Sequence, residues 1–222
     1  MDYPATLAAL RRNEVCVFPT ETFYGLGCNC FAVNAVQEIL RIKARPLGKA
    51  LPLIVGGLDQ LSQIAPTVFA GRTPSLAALT SPLLARLVER FWPGPLTILL
   101  PATTALFPEI TAETGFVAVR WTSHPLAAQL CLELGRPLVA SSANRSGQPP
   151  AGRPDELDIT LCAATAGLCA DGPQPRGGLP STLVALCGPL PTATRLEIRR
   201  HGAIAAATLE AAGFALAAEA GV

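Results

Sequence analysis

Val15-Cys16-Val17-Phe18-Pro19-Thr20-Glu21-Thr22-Phe23-Tyr24-Gly25-Leu26-Gly27 begins with a short apolar run and passes at once into two hydroxyls, a carboxylate, a phenol and two glycines. Val15–Phe18 has the length and composition of a strand. The polar residues after it suit a loop that holds a small polar substrate by short hydrogen bonds from a rigid support. A plain strand and turn, with threonine used for its β propensity, would use the same residues.

Outward from this segment the alternation repeats along the chain. Strands are predicted at Leu51–Val55, Thr97–Leu100, Val117–Arg120, Leu138–Ser141, Gly167–Ala170, Thr182–Ala185 and Arg195–Ile198. Helices are predicted at Ala5–Arg11, Ala32–Lys43, Leu58–Ile64, Pro82–Phe91, Pro125–Leu134, Pro154–Ala166 and Ala203–Gly213. Strands alternating with helices mark an α/β domain. In the second helix Val33, Val36, Ile39 and Leu40 share a face, and Lys43 follows Val36 and Leu40 at helical spacing. That helix should end before Arg45-Pro46, because a residue preceding proline resists the helical conformation.

Proline and glycine gather at joints, notably Pro93-Gly94-Pro95, 147–152 and 172–180. The stretches Ser141–Pro154 and Asp171–Pro180 have few apolar anchors and read as candidate lids over a site. There is no internal repeat, heptad seam or clean linker, so 1–222 reads as one domain, with its motifs between about 15 and 204 and a terminal helix at 203–213.

Half the residues are apolar and 15% are charged, which suits a packed globular chain and excludes a disordered or elongated charged one. The longest apolar runs, Leu161–Ala170 and Ala203–Ala218, are interrupted by polar residues and fall short of the roughly 20 apolar residues a bilayer span needs. The first residues, Met1-Asp2-Tyr3-Pro4, lack a basic segment followed by an apolar one, so a cytoplasmic location is expected, with no membrane partner. Seven scattered cysteines argue against a disulfide framework, and Cys28-Asn29-Cys30 lacks the second pair that structural zinc needs. His124 and His201 lie far apart at apparent turns, which leaves little for a His-based nucleophilic mechanism. With a net charge of +1, an anion site must come from a local cluster of cations.

One such cluster is Lys43-Ala44-Arg45-Pro46-Leu47-Gly48-Lys49, three cations in seven residues. Cations on a proline-stiffened loop suit a triphosphate, since arginine forks across two oxygens and lysine acts as a point charge. The same segment would also serve as a solvated surface turn. It is not a Walker loop, because GxxxxGK[ST] occurs nowhere in the chain. In Pro137-Leu138-Val139-Ala140-Ser141-Ser142-Ala143-Asn144-Arg145-Ser146-Gly147 an apolar strand opens into serines and an asparagine next to glycine. Hydroxyl, amide and backbone N–H groups there could hold a phosphate or purine, or could close a structural Asx or Ser/Thr turn.

Taken together and in order, these pieces resemble the YrdC-like family, to which the TsaC/YrdC threonylcarbamoyladenylate synthases belong. The matching segments are PTETFYGLG, KARP, PGPLTILL, VAVRWTSHP, ASSANRSG, PSTLV and RRHGAI, spread from about Val15 to Ile204. The resemblance implies an α/β fold with a twisted mixed sheet, flanking helices and an open, positively charged cleft. It implies synthesis of threonylcarbamoyl-AMP and pyrophosphate from L-threonine, bicarbonate and ATP, the first step of a tRNA threonylcarbamoyladenosine modification. On it, Thr22, Arg120, Ala140 through its backbone, and Ser181 would hold L-threonine. Lys43, Arg45, Lys49, Ser142, Asn144 and Arg200 would hold ATP, with Lys43 and Arg45 assisting the chemistry. Mg²⁺ would ride on the ATP phosphates without a protein metal site, and a downstream transferase complex and tRNA would be indirect partners.

Two positions depart from the family pattern. Lys49 stands where some relatives carry asparagine, and Ile54 lies near a position that in some relatives is a histidine touching threonine. The sequence ends soon after RRHGAI, so the extra C-terminal domain of the longer synthases is not expected. Three other readings compete: a double-stranded RNA or tRNA binding module, a carbamoyl-adenylate chemistry like that of hydrogenase-maturation carbamoyltransferases, and a paralogue with a changed substrate. The low net charge and the lack of an aromatic-plus-basic stripe weigh against the first.

Overall fold

A computed structural model describes residues 1–46, 48–71 and 73–218. Leu47, within the cationic loop, lies outside the described residues, as do Arg72 and the last four. In chain order the elements are α1 (Tyr3–Arg11), β1 (Cys16–Pro19), β2 (Tyr24–Gly27), α2 (Val33–Lys43), β3 (Leu53–Val55), α3 (Leu58–Ile64) and α4 (Pro82–Phe91). There follow β4 (Leu96–Pro101), α5 (Pro108–Thr111), β5 (Phe116–Trp121), α6 (Pro125–Leu134), β6 (Leu138–Val139) and β7 (Ser141–Ser142). The last are α7 (Ile159–Ala163), β8 (Gly167–Leu168), β9 (Thr182–Cys187), β10 (Arg195–Arg200), α8 (Ala206–Ala211) and β11 (Ala215–Leu216).

The strands form two mixed sheets. One has the order β11-β10-β9-β4-β5-β3-β6 and the other β7-β2-β1-β8. The first, with helices against it, is the expected mixed α/β sheet. The second exists because Tyr24–Gly27, read above as loop, folds back antiparallel on β1 with Val17 opposite Leu26. All four residues of β2 are buried, so the segment serves as core as well as site. Gly27 makes this possible, since a Cβ there would sit 2.2 Å from the Val139 carbonyl oxygen and 2.7 Å from the Phe18 ring.

The predicted strand Leu138–Ser141 divides between the sheets. β6 pairs with β3 and β7 pairs with β2, leaving Ala140 at the crossing. Its N–H donates to the Pro52 carbonyl at 3.0 Å. The principal core takes Val17, Tyr24 and Leu26 from the smaller sheet together with Leu53, Ile98 and Val119 from the larger.

Two predicted helices come out differently. Pro154–Ala166 is a short 3-10 turn, Pro154–Glu156, followed by α7. The break falls at Asp158, whose Oδ1 accepts from the N–H groups of Thr160 at 2.8 Å and Leu161 at 3.2 Å and so starts a new helix. Ala203–Gly213 shortens to α8, after which Ala215–Leu216 adds parallel to β10. In α2 the inward face is Ala35, Val36, Ile39, Ile42 and Lys43, while Val33 is exposed. Among the described residues no helix is long and apolar enough to cross a membrane.

Candidate active site

Register places a row of side chains across one face of the larger sheet. Ile54 lies opposite Arg120, Leu99 opposite Ala118, and Thr97 opposite Leu183, which in turn lies opposite Arg200. Because strand side chains alternate between faces, the intervening Ile98, Leu100, Val117, Val119 and Val184 point the other way and are buried in the core. The row forms the floor of a cavity of about 510 Å³. Thr20, Thr22, Phe23, Tyr24 and Gly25 of the β1–β2 hairpin and Ala140, Ser141 and Ser142 at the sheet crossing line it from the smaller sheet.

Both predicted lids reach this cavity, one through Pro150 and the other through Gly178 and Pro180. The second is fastened along its length. Tyr3 N–H donates to Asp171 at 2.7 Å, His124 Nε2 is 2.8 Å from the Pro173 carbonyl oxygen, and Gly177 N–H donates to the Thr22 carbonyl at 2.9 Å. His124, the buried N-cap of α6, is thus a structural tie rather than part of the cavity wall.

Among the described residues three arginines line the cavity and no carboxylate does. Arg120 is buried, with NH1 3.2 Å from Thr22 Oγ1 and 3.2 Å from Glu21 Oε1. Arg200 donates from Nε and NH2 to the Ser181 carbonyl at 3.2 and 2.8 Å, and from NH2 to Ser181 Oγ at 2.9 Å. Burial lowers the Arg200 pKa, and the positive charge of Arg120 lowers it further. Arg45, half-buried, donates to the carbonyls of Lys49 at 3.1 Å and Ala50 at 2.8 Å, and burial lowers its pKa as well. Guanidinium groups crowded together and partly removed from water favour a bound anion.

Ser181 also exchanges a hydrogen bond with Thr97 at 2.7 Å. Its backbone is set by the turn after β10. Ala203 N–H donates to the Pro180 carbonyl at 2.8 Å, and Thr182 Oγ1 donates to the Ile204 carbonyl at 2.7 Å. At Gly202 a Cβ would lie 2.3 Å from the Pro180 carbonyl oxygen, so only glycine lets this turn close on Ser181. The segments PSTLV and RRHGAI are therefore two sides of one contact.

Of the residues singled out in the sequence, Thr22, Arg45, Arg120, Ala140, Ser142, Ser181 and Arg200 meet at this cavity. Lys43 and Asn144 stand behind it. Lys43 is 2% exposed, and its ammonium donates to the carbonyls of Ser142 and Asn144, the latter at 2.6 Å, with Asn144 Oδ1 at 3.5 Å. Burial pushes its pKa from 10.5 down to about 8, and the Arg45 charge adds to the effect. Asn144 spends its amide on its own loop, donating to the carbonyls of Arg145 at 3.1 Å and Gln148, while its Oδ1 accepts from Ser142 Oγ at 2.5 Å. Lys49 is exposed and faces a separate depression with Glu109 and Glu113.

The sequence reading passed over Thr97 and Glu21. Thr97 had a signal, a lone hydroxyl in the apolar run Leu96–Leu100. Glu21 was counted only as one of the polar residues of the loop after Phe18 and was given no role of its own. The seven cysteines are free thiols, and among the described residues no group of three His, Cys, Asp or Glu side chains is placed to hold a metal.

A sequence model of the Sua5/YciO/YrdC family, described as "Telomere recombination", matches residues 8–202. A threonylcarbamoyl-AMP synthase of Bacillus subtilis (strain 168) is 38% identical over 189 residues, covering 85% of this chain and 51% of the relative. The chain thus spans about half the length of that protein. A threonylcarbamoyl-AMP synthase of Chromohalobacter salexigens is 39% identical over 177 residues, 80% of this chain and 88% of the relative. The crystal structure of P. abyssi Sua5 complexed with L-threonine superposes with a TM-score of 0.79 at 30% identity, covering 97% of this chain and 58% of that one.

Proposed function

This chain belongs to the Sua5/YciO/YrdC family, and on that footing we propose that it joins L-threonine, bicarbonate and ATP into threonylcarbamoyl-AMP and pyrophosphate. The adenylate would then pass to a separate transferase that modifies tRNA. The observation that carries the reading is the cavity itself, lined among the described residues by three arginines and several hydroxyls with no acid. The L-threonine in the similar Sua5 structure supports threonine as the amino acid.

The proposed roles follow from placement. Arg120 pairs with the threonine carboxylate, Thr22 and Ser181 offer hydroxyls, and the Ala140 carbonyl accepts from the amine. Arg45, Arg200 and Ser142 face the nucleotide phosphates. Lys43 and Asn144 hold the Ser142 loop in position, and Lys49 approaches from the outer side of the cationic loop.

The threonine ammonium gives up a proton, and the neutral amine attacks the bicarbonate carbon, forming the N–C bond with loss of water to give a carbamate. A carbamate oxygen then attacks the α-phosphorus of ATP, the bond to the β-phosphate bridging oxygen breaks, and pyrophosphate leaves. Neither step needs a nucleophilic side chain. What the protein supplies is alignment and cations at the phosphoryl oxygens, and one such cation contributes about 2–4 kcal/mol, roughly 10² to 10³ in rate. With no carboxylate in the lining among the described residues, Mg²⁺ would enter on the ATP phosphates, where it would offset their charge and polarise the phosphoryl oxygens.

The test is incubation with ATP, Mg²⁺, bicarbonate and each amino acid in turn, with mass spectrometry of the products. A threonylcarbamoyl-AMP mass that depends on bicarbonate is expected, and its absence with threonine refutes the assignment.

A further inference from the structure

Behind Arg120 lies a carboxylate that the proposed chemistry leaves without a role. Glu21 precedes the cavity residue Thr22, yet its own side chain turns away from the cavity and is 9% exposed. Its Oε2 accepts from Thr122 Oγ1 at 2.7 Å. That hydroxyl in turn accepts from the His124 N–H at 3.2 Å, so its proton is directed at Glu21. Its Oε1 is closed off from solvent, 3.2 Å from Arg120 NH1, but no donor is aligned with it. A buried carboxylate oxygen without an aligned donor is destabilising, and its persistence calls for a compensating use.

We propose that Glu21 is a positioning residue for amino-acid recognition, holding one edge of the Arg120 guanidinium so that the other edge is presented to the substrate carboxylate. A guanidinium has five donors in a fixed plane and can serve two carboxylates at once. Among the described residues Arg120 makes one hydrogen bond, to Thr22, and its contact with Glu21 sets the plane. Rotation that brings Arg120 onto a second carboxylate can also bring NH1 into line with Oε1, as catalytic hydrogen bonds often tighten only in the complex. Thr122 fixes the far oxygen of Glu21, so the support runs from α6 through Thr122 and Glu21 to Arg120. The inference rests on the proposed function in one respect, that the ligand of Arg120 is the carboxylate of an amino acid.

The test compares Glu21→Ala, Glu21→Gln and Thr122→Val with the parent protein in the adenylate assay, varying L-threonine and ATP separately. Formation of the adduct by the parent settles the functional reading before any variant is scored. Glu21→Ala is expected to raise the KM for threonine at least about tenfold, with the KM for ATP within about twofold. Glu21→Gln keeps the shape and an oxygen towards Arg120, and is expected to recover most of the loss. Thr122→Val, which frees Glu21 without removing it, should raise the threonine KM about threefold, and it decides the matter if Glu21→Ala does not fold. A threonine KM within twofold of the parent in the folded variants overturns the proposal. So does a rise in both KM values together, which would mark a general structural loss.

Discussion

Replacing Lys43 by methionine isolates what it takes to keep an ammonium group beneath the Ser142–Asn144 loop. The partners of Lys43 are two carbonyls and a side-chain amide oxygen, none of them a carboxylate. Burial therefore dominates, and the pKa falls from 10.5 to about 8. Below pH 8 both folded and unfolded chains carry the proton, and the fold bears the full desolvation cost. Between about 8 and 10.5 the folded state has released the proton while the unfolded chain still holds it, so stability rises with pH. The gap is worth about 3 kcal/mol in all, and about 2 kcal/mol of it develops between pH 7 and 9.5. The thiols act in the opposite sense. Burial pushes Cys16 and Cys131 up to about 12 and raises Cys28 and Cys30 as well, so the unfolded chain ionises first and stability falls as pH passes the ordinary thiol value near 9. The wild-type curve alone mixes the two effects, but its difference from Lys43→Met cancels the thiols. Urea unfolding of both proteins at half-unit steps from pH 7 to 9.5 should show that difference shifting by about 2 kcal/mol in favour of the wild type. Parallel curves, or a shift of the other sign, would refute the claim that the ammonium is held by burial against its own charge.

Arg45→Ala is expected to lower pyrophosphate release at least about tenfold while leaving the urea midpoint near the wild-type value, because this arginine caps a loop at the cavity edge and is not core. Gly202→Ala should cost about 1–3 kcal/mol in urea unfolding and reduce adduct formation as well, since the added methyl pushes on the Pro180–Thr182 backbone that carries Ser181; unchanged values of both would refute the tight closure. Chelation of Mg²⁺ by EDTA should stop pyrophosphate release and added MgCl₂ should restore it, without a change in the melting temperature of the free protein, as the ion is expected on ATP and not in the fold.

Much of the fold was legible because its signals were local. The helical spacing put Val33, Val36, Ile39 and Leu40 on one face of α2 with Lys43 in line, of which Val36, Ile39 and Lys43 are buried and Val33 is exposed, and the apolar runs predicted most strands. The site was legible where polar groups interrupt such runs, as at Arg120 and Ser181. What spacing could not supply was partnership. That Leu138–Ser141 serves two sheets depends on Cys28, Pro52 and Leu26, residues more than eighty positions away, the first two accepting its N–H groups and the third pairing with Ser141. The sequence likewise puts Lys43, Arg45 and Lys49 on one loop as equals. They part because Ala44 takes a left-handed conformation at the end of α2. Lys43 is left under the serine loop, Arg45 at the cavity and Lys49 at the depression that Glu109 and Glu113 also line.

That parting produces a difference in charge between the two halves of the site. Arg120, assigned to the amino acid, has Glu21 beside it at 3.2 Å, so the threonine half is close to neutral before substrate arrives. Arg45 and Arg200, assigned to the nucleotide half, and Lys43 beneath the Ser142 loop are held by carbonyl, hydroxyl and amide oxygens, and among the described residues none of the three is in an ion pair with a carboxylate. A carbonyl orients a cation without cancelling it. An amino acid brings one carboxylate and an amine that must lose its charge to react, and a strongly positive surround would be wasted on it. A nucleoside triphosphate brings several negative charges, and its leaving pyrophosphate gains more as the bond breaks. Cations already desolvated and oriented, with their charge unspent, interact with that developing charge most strongly. The lowered pKa values of Arg45 and Arg200 express the same arrangement, for each is a cation at the cavity that the fold holds at a cost that a phosphate relieves.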